Sequence, residues 1–350
     1  MEAKTGSILA QSNGYSLLEP ASITKIMSSY IVAQAIEKQE IALTDKVIIS
    51  NYARSQEGSR MFVEKNSAVS VLDLMRGMII HSGNDSTVAL SEHVAGTEAQ
   101  FVVRMNAMAV QMGLKNTHFK NSTGLPANGH LTNAYDIALL SRHLIYDHPD
   151  IYKIYAEKTF TWNKITQPNR NQLLFTDPSV DGIKTGHTSA AGYCLVSSSV
   201  RDNFRLIAVV LGGAKEKDRY DASKALLDFG YREFIRQKIY TKEEIIANIS
   251  LREGTANTLA VGLPEDLELT FKKGRYQDIT AQVKYNIITA PVKKGTVVGD
   301  LIFTLDAKVL LSIPVVALQS VEKTNFVFVF LSRLKQRSIA KFNDLVILKK

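Results

Sequence analysis

The spacing of apolar residues divides the chain into a helix-rich first part and a strand-rich second part. In the first part apolar residues recur every three or four positions, which places them on one face of a helix. This spacing predicts helices over residues 22–36, 70–80, 86–95, 97–112, 132–146 and 215–234. Apolar runs at 192–196 and 204–211, close behind residues 180–188, predict adjacent strands of a buried sheet. Residues 1–236 are therefore predicted to form an α/β domain.

Several of the predicted helices carry start and stop signals. Ser70 is followed three residues later by Asp73, and Thr97 precedes an amphipathic run that ends at Gly113. Serine and threonine favour the position before a helix, and glycine favours the position after it. From about 237 to 320, short strands such as 267–271 and 279–285 alternate with Gly, Pro and paired Lys. This change of pattern predicts a small all-β domain over 237–320.

The last part of the chain is basic and amphipathic. From residue 323 onward it holds seven Lys or Arg and one acid, with aromatic and aliphatic residues between them. It lacks the 18 or more uninterrupted apolar residues of a spanning helix. Phe342, Leu345 and Val346 are spaced to lie on one helical face. Residues 321–350 are predicted to form an amphipathic helix on an anionic membrane surface, and a helix packed back on the protein is the alternative.

Length and composition fit a folded protein of two or three units. The chain has 350 residues, of which 45% are apolar and 22% charged, ordinary values for globular proteins. The formal net charge of +8 fits an anionic partner, but the basic residues outside the tail are too scattered for nucleic acid. The single cysteine, Cys194, excludes an internal disulfide and is predicted to be a buried structural thiol. The seven histidines show no metal-binding spacing, so no metal or cofactor is predicted.

Three short strings supply the polar groups of a serine acyl-transfer site. In chain order they are Ser22-Ile-Thr-Lys25, Ser82-Gly83-Asn84 and Lys184-Thr185-Gly186. Together they follow the S-x-x-K, S-D-N and K-T-G pattern of enzymes that form an acyl-serine, with glycine at the middle of the second string. No string is specific alone, because three more S-x-x-K strings and one more K-T-G string occur in the chain. Their order and local context distinguish the functional copies.

The first string opens a predicted helix, so Ser22 and Lys25 lie one turn apart on the same face. Unpaired N–H groups at a helix start carry partial positive charge and can hold a developing oxyanion. Lys184 lies on a predicted strand, from which its ammonium can face a cleft. Gly186 on that strand permits close approach of a substrate backbone.

These strings and their surroundings resemble the low-molecular-mass penicillin-binding proteins that are D-alanyl-D-alanine carboxypeptidases, the group similar to penicillin-binding protein 5. The resemblance covers nearly the whole chain and includes residues 20–25, 80–85, 113–119, 123–125, 167–171 and 180–187. It implies a β-lactamase/DD-peptidase-like domain with helices on an antiparallel sheet, then the all-β domain and a C-terminal membrane-surface anchor. It also implies a peripheral location on the periplasmic face of the bacterial inner membrane.

Elementary chemistry gives most of the polar residues a predicted role. Ser22 needs a neighbouring base to become a nucleophile, and Lys25 is the nearest candidate by spacing. Lys25 can serve only when neutral, and burial together with the ammonium of Lys184 would lower its pKa. Ser82 suits relaying a proton to the leaving amine, and Asn84 suits orienting Lys25 and the substrate amide.

The terminal carboxylate of a substrate would be held by Lys184 electrostatically and by the hydroxyl of Thr185. By resemblance, the oxyanion hole pairs the amide of Ser22 with that of His187. Resemblance also points to Arg170 and Arg219, whose guanidinium groups match the shape of a carboxylate. An ordinary surface or salt-bridged arginine remains the alternative for each.

The beginning of the chain departs from the family pattern. Secreted relatives have a signal peptide and then a strand before the turn that Lys4-Thr5-Gly6 resembles, whereas this chain starts almost at that turn. We expect that an initial segment is missing, and a shortened protein that stays in the cytoplasm is the alternative. The outcome bears on export and on the number of strands in the main sheet.

The predicted activity is removal of the terminal D-alanine from the peptidoglycan pentapeptide stem through an acyl-enzyme on Ser22. β-Lactam antibiotics would acylate the same serine. One alternative is a β-lactamase, for which no deacylating base is assigned, since Glu57 and Glu64 fall between the first two strings. The other alternative is a non-catalytic, membrane-bound wall-binding protein.

Overall fold

The computed structural model describes residues 1–324 and 343–346. The chain divides into two compact units, Met1–Arg232 and Glu233–Lys350. The helices are α1 (Lys25–Glu37), α2 (Asn51–Arg54), α3 (Val71–Ile79), α4 (Asn84–Ala95), α5 (Glu98–Gln111), α6 (Ala134–Asp147), α7 (Pro149–Tyr152), α8 (Leu173–Thr176) and α9 (Glu216–Glu233). The strands of the first unit are β1 (Lys46–Ile48), β2 (Ala68–Ser70), β3 (Thr159–Trp162), β4 (Ile165–Pro168), β5 (Val180–Thr188), β6 (Gly192–Arg201) and β7 (Phe204–Gly213).

The main sheet of the first unit consists of β5, β6 and β7 in antiparallel order. Successive side chains of β6 enter different cores: Cys194 and Val196 pack with the helical layer that contains α1, and Leu195 packs with residues of α9. Because both faces are covered, the six residues 194–199 are all buried and do not alternate between buried and exposed. The predicted antiparallel sheet with helices packed on it is confirmed.

The six predicted helices are all present, and their ends follow the signals in the sequence. The hydroxyl of Ser70 accepts the N–H of Asp73 at 3.0 Å, and Thr97 caps α5 in the same way. Gly113 ends α5 with φ +75, a left-handed conformation that glycine adopts readily. The first predicted helix begins as a 3-10 turn, Ala21–Thr24, that continues directly into α1.

The segment 121–125 lies against that 3-10 turn. The Oδ1 atom of Asn121 accepts the N–H of Gly124 at 2.7 Å. Gly124 has φ +88, and a Cβ atom there would lie 1.8 Å from the carbonyl oxygen of Ala21. A glycine is therefore required for this close approach.

The first residues of the chain run along the outer edge of β7. The amino group of Met1 donates to the carbonyl of Ile207 at 2.8 Å, and Ala3 N–H donates to Arg205 at 3.0 Å. Beyond this contact a groove of about 530 Å³ continues between residues 8–16 and residues 206–212.

The second unit is built from strands: β8 (Phe234–Tyr240), β9 (Ala247–Arg252), β10 (Thr258–Gly262), β11 (Leu267–Lys272), β12 (Thr280–Tyr285), β13 (Ile288–Thr289), β14 (Val297–Leu305), β15 (Lys308–Ala317) and β16 (Asn343–Val346). One sheet has the order β13-β9-β10-β15-β14-β12-β16, and β8 pairs with β11. The predicted strands 267–271 and 279–285 correspond to β11 and β12. The small all-β fold expected here is confirmed.

The predicted tail helix over 321–350 requires a correction. Residues 325–342 and 347–350 lie outside the described residues. Asn343–Val346 form β16, antiparallel to β12, so the helix prediction is wrong for these four residues. On the side away from β14, the backbone N–H and C=O groups of β12 need hydrogen-bond partners. Asn343–Val346 provide them from a distant part of the chain, and helical spacing, which is a local pattern, does not predict such pairing. Within residues 1–324, no helix combines the length and apolar character needed to cross a bilayer.

The close approach of Gly124 to Ala21 predicts a large effect for Gly124→Ala. The added methyl group meets the carbonyl of Ala21, and alanine is strained at φ +88. We expect the free energy of unfolding to fall by about 3 kcal/mol or more. Gly113→Ala is the matched control, because φ is +75 and a Cβ atom there meets nothing within 4 Å. Gly113→Ala should lower the free energy of unfolding by about 1 kcal/mol, as measured by urea denaturation. Equal decreases for both variants would contradict the interpretation.

Candidate active site

The 3-10 turn before α1 brings the residues of the first string together. Ser22 lies in the turn, and Lys25 is the first residue of α1. The Nζ atom of Lys25 lies 2.9 Å from the Oγ atom of Ser22. The predicted serine–lysine pair is therefore in hydrogen-bond contact.

Lys25 is fully buried, and oxygen atoms from three separate parts of the chain surround its Nζ atom. Besides Ser22, it donates to Oδ1 of Asn84 at 2.7 Å and to the carbonyl of Thr123 at 2.7 Å. A buried ammonium group is costly unless its N–H groups are hydrogen-bonded. Here each of the three N–H groups has an acceptor.

The environment lowers the pKa of Lys25 from its ordinary value of 10.5 to about 7. Burial is the largest cause, because removal from water disfavours the charged form. The negative charges of Asp85 and Glu98 raise the pKa, and the positive charge of Arg170 lowers it. A substantial fraction of this lysine is therefore neutral near pH 7.

The second string forms the start of α4. Ser82 is buried with φ +61, and Asn84 is the first residue of the helix. The Nδ2 atom of Asn84 donates to the carbonyl of Glu57 at 2.6 Å, while its Oδ1 atom faces Lys25. These two contacts define the orientation of the amide.

The third string lies on β5, next to the turn that carries Ser22. A Cβ atom on Gly186 would lie 3.1 Å from the backbone nitrogen of Ser22. The close backbone neighbour of this glycine is therefore the Ser22 turn itself. Thr185 and Lys184 are buried on the same strand, and the Nζ atom of Lys184 donates to the carbonyl of Thr185 at 3.1 Å.

Lys184 also has a strongly lowered pKa. Burial is the main cause, and the positive charges of Lys25, Arg170 and Arg219 add to it. Three cationic side chains are thus close enough to lower the pKa of Lys184. The first and third strings converge, as the sequence predicts, and the electrostatic coupling extends to both predicted arginines.

The two arginines differ in exposure. Arg219 is buried and donates to Glu216 at 2.6 Å, to the hydroxyl of Tyr220 at 2.9 Å and to the carbonyl of Gly186 at 3.4 Å. Arg170 is exposed, and its Nε atom donates to the carbonyl of His81 at 3.2 Å. Tyr220 links them, because its hydroxyl donates to the carbonyl of Arg170.

Neither histidine beside the strings is hydrogen-bonded to Ser22. The exposed ring of His187 stacks on Tyr193 with centroids 4.0 Å apart. The buried ring of His81 pairs with the carbonyl of Phe160 at 3.0 Å, and burial lowers its pKa.

Cys194 is buried as predicted, and burial raises the pKa of its thiol. Within residues 1–324, no three His, Cys, Asp or Glu side chains are grouped to hold a metal ion.

Three residues with direct roles in this geometry carry no assignment from the sequence. Thr123 contributes only a backbone carbonyl, which no side-chain motif identifies. Glu98 accepts hydrogen bonds from the N–H and hydroxyl of Ser122 and so secures the neighbouring Thr123. Asp85 follows the second string directly, and its position there was the available signal.

Comparison with known proteins identifies the family. The sequence profile described as D-alanyl-D-alanine carboxypeptidase, peptidase S11, matches residues 1–215, and that of the penicillin-binding protein 5 C-terminal domain matches residues 234–323. The chain belongs to the D-alanyl-D-alanine carboxypeptidase family.

Individual members of this family resemble the chain over most of its length. It is 39% identical to the D-alanyl-D-alanine carboxypeptidase DacC of Escherichia coli over 335 residues, which cover 93% of this chain and 84% of that protein. The crystal structure of penicillin-binding protein 5 from Haemophilus influenzae has a TM-score of 0.87 and 40% identity, and the match covers 92% of this chain and 96% of that chain. Penicillin-binding protein D2 from Listeria monocytogenes, in its cefotaxime-bound form, has a TM-score of 0.61 and 28% identity over 66% of this chain and 94% of that chain.

The lowered pKa of Lys25 predicts a pH dependence of stability. Between pH 7 and 10.5 the folded protein holds Lys25 increasingly neutral, while the unfolded chain keeps it protonated. The unfolded state therefore binds more protons, and the free energy of unfolding rises with pH in this range. Lys25→Met should remove this part of the slope, up to about 1.4 kcal/mol per pH unit.

Urea denaturation of both proteins at pH 7, 8 and 9 measures the difference in slope. Lys25→Met also removes a positive charge that lowers the pKa of Lys184, so the difference in slope includes a contribution from Lys184. Parallel dependences on pH would show that Lys25 has an ordinary pKa.

Proposed function

We propose that this protein is a serine D-Ala-D-Ala carboxypeptidase that acts on the pentapeptide stem of peptidoglycan. The hydroxyl oxygen of Ser22 attacks the carbonyl carbon of the penultimate D-alanine. The C–N bond to the terminal D-alanine breaks, and the amine leaves with a proton. Water then hydrolyses the acyl-serine ester, which releases the shortened peptide and restores the hydroxyl.

The observation that carries this proposal is the arrangement around the Nζ atom of Lys25. Two of its three partners, the Asn84 side-chain carbonyl and the Thr123 backbone carbonyl, can only accept hydrogen bonds. A neutral amine must therefore direct its two N–H groups to them, so its lone pair faces Ser22 at 2.9 Å. In this state the lysine is placed to accept the hydroxyl proton, and its pKa of about 7 suits a base near neutral pH.

Ser82 is proposed to pass a proton to the leaving amine. It lies two residues before Asn84 and is buried beside the same helix start. A hydroxyl both accepts and donates, so it can receive a proton from Lys25 and deliver one to the departing nitrogen. Asn84 is proposed to orient Lys25 and the substrate amide.

The positive cluster is proposed to bind the free carboxylate of the substrate. Lys184 and Thr185 occupy the strand beside Ser22, and the positive charges of Arg170 and Arg219 lie close enough to lower the pKa of Lys184. The buried Nε atom of Arg219 has no hydrogen-bond partner among residues 1–324. Its N–H group is therefore available to donate to an anion. Burial of several cations without a full set of carboxylates favours an anionic ligand.

The oxyanion hole is proposed to consist of the backbone amides of Ser22 and His187. The short distance between Gly186 and the Ser22 nitrogen supports this, because β5 runs directly beside that amide. Two amides aimed at the same point stabilise the negative oxygen of a tetrahedral intermediate.

β-Lactams are proposed to bind at the same site, since structures of the similar penicillin-binding protein D2 from Listeria monocytogenes have cefotaxime or ampicillin bound. A β-lactam carries a carboxylate and an acylating carbonyl, which are the two groups that the proposed cleft recognises. Glu57 and Glu64 both have exposed side chains. Neither is assigned as a base for deacylation, and slow release of the antibiotic is expected.

Ser22→Ala tests the proposal. The wild-type protein should release D-alanine from a peptide ending in D-Ala-D-Ala and should keep a covalent label from a fluorescent penicillin. Removal of the nucleophile should lower both rates by about a thousandfold or more. Ser320→Ala is the matched control, because Ser320 also opens an S-x-x-K string but bonds to Lys294 in the second unit.

The alternatives give different results in the same assay. Rapid turnover of penicillin by the wild-type protein would identify a β-lactamase. Stable labelling without release of D-alanine would identify a non-catalytic penicillin-binding protein. A Ser22→Ala variant that still labels would remove this serine from its proposed role.

We propose that the protein acts on the periplasmic face of the bacterial inner membrane, where its substrate lies. The basic composition of residues 321–350 supports contact with anionic lipid. In co-sedimentation, the full chain should bind vesicles with 30% anionic lipid more strongly than neutral vesicles. Replacing Lys341, Lys349 and Lys350 by Gln should weaken this binding at least about tenfold, at ~1 kcal/mol per charge.

The matched control replaces three exposed lysines of the first unit, Lys46, Lys65 and Lys164, by Gln. The net charge then changes by the same amount, but the tail stays intact. Equal loss of binding in both variants would contradict a membrane role for the tail.

A further inference from the structure

Asp85 has an unusual set of partners directly behind the second string. Its carboxylate is buried and accepts the N–H groups of Met61 at 2.9 Å, Phe62 at 2.8 Å, Val63 at 3.2 Å and Ser86 at 2.8 Å. Three of these amides belong to consecutive residues of one loop. Hydrogen bonds from several amides to one carboxylate are charge-assisted and strong, so Asp85 anchors that loop.

Asn84 holds the same loop at a neighbouring point. Its backbone N–H donates to the carbonyl of Ser59 at 2.7 Å, and its side-chain Nδ2 atom donates to the carbonyl of Glu57 at 2.6 Å. Gly58 lies between these two contacts, where a Cβ atom would be 3.0 Å from Nδ2 of Asn84. Adjacent residues of α4 therefore fix both ends of the loop 57–63.

The loop does not adopt this shape from its own preferences. Phe62 has φ +66, which is unfavourable for an aromatic residue, and its side chain is 45% exposed. Such a conformation persists only where surrounding contacts determine it. The bonds from Asp85 to residues 61–63 are those contacts.

The position of the loop affects Lys25 through the amide of Asn84. The carbonyl of Glu57 binds the NH₂ end of this amide, which directs the oxygen end toward Lys25. If the loop moved away, the amide could rotate and present its NH₂ group to the lysine, which would then lose an acceptor.

We infer that Asp85 is a positioning residue for acyl transfer: its carboxylate holds the loop 57–63 so that the Glu57 carbonyl keeps the Asn84 oxygen on Lys25. This inference rests on the proposed function and adds to it a residue that does not touch the reacting atoms.

The charge of Asp85 provides a second readout. Besides burial, the pKa of Lys25 is influenced by Asp85 from α4, Arg170 from the segment before α8 and Glu98 from α5. Lys25 in turn lowers the pKa of Lys184 on β5. Asp85 raises the pKa of Lys25, so its neutralisation should lower that pKa. The rate of acylation rises as Lys25 loses its proton, and the midpoint of that rise should move to lower pH.

Asp85→Asn tests the inference. The variant keeps the size of the side chain but replaces one accepting oxygen with an NH₂ group that faces backbone amides. The rate constant for labelling by a fluorescent penicillin is measured from pH 5 to 10. We expect the plateau rate to fall about tenfold or more, and the midpoint to shift to lower pH.

Asp136→Asn is the matched control. Asp136 is equally buried and accepts the N–H of Asn116 and the hydroxyl of Thr117, both at 2.8 Å, so it too secures a loop. It should lower thermal stability and leave the plateau rate and the midpoint unchanged. A plateau and midpoint for Asp85→Asn that match the wild type would overturn the inference, whereas a wild-type protein that is not labelled at all would overturn the proposed function instead.

If Asp85→Asn does not fold, Gly58→Ala disturbs the loop from the side of Asn84 and keeps the charge of Asp85. The added methyl group lies 3.0 Å from Nδ2 of Asn84 and is strained at φ +79. The plateau rate should fall about tenfold while the midpoint stays in place. A wild-type plateau in this variant would show that the loop does not control the Asn84 amide.

Discussion

The interior lysine at position 25 is the constraint on which the first unit depends. A charged amine removed from water is tolerated only where oxygen atoms surround it. Those oxygens come from the turn before α1, from the first residue of α4 and from the segment 121–125. These parts of the chain must approach within hydrogen-bond distance of one atom. Gly124 makes the approach of the segment 121–125 possible, because it lies against the carbonyl of Ala21 in the Ser22 turn. Gly186 lets β5 pass beside the same turn.

The positive charges around the site lower the stability of the fold and favour the binding of an anion. Burial is the main cause of the lowered pKa of Lys184, and repulsion from the positive charges of Lys25, Arg170 and Arg219 adds to it. A folded state that concentrates like charges is less stable than one that separates them. In the proposed function, the carboxylate of the substrate would relieve this repulsion and so recover part of the free energy that the fold gives up.

Sequence patterns predicted the parts of this structure that local interactions determine. The six helices and their caps at Ser70, Thr97 and Gly113 follow from spacing and residue type. The convergence of Ser22, Lys25 and Asn84 is not local, and it was predicted from the order of the three strings. The loop held by Asp85 could not be predicted, because its shape depends on a carboxylate more than twenty residues away that binds the loop's own backbone amides. The strand at Asn343–Val346 was missed for the same reason, since its partner β12 lies some sixty residues earlier in the chain. Helical spacing is local, whereas the pairing of a sheet edge is not.

The position of the one sulfhydryl group has a practical and biological consequence. Cys194 is enclosed between β6 and the helical layer, and this side chain is the only cysteine in the chain. With one cysteine, the protein forms no intramolecular disulfide, so its folding requires no oxidation and allows no disulfide mispairing within the chain, in oxidising or reducing surroundings. Any cysteine introduced on the surface would be the most reactive thiol of the molecule, so a spectroscopic probe could be attached at a chosen position without replacing the native residue.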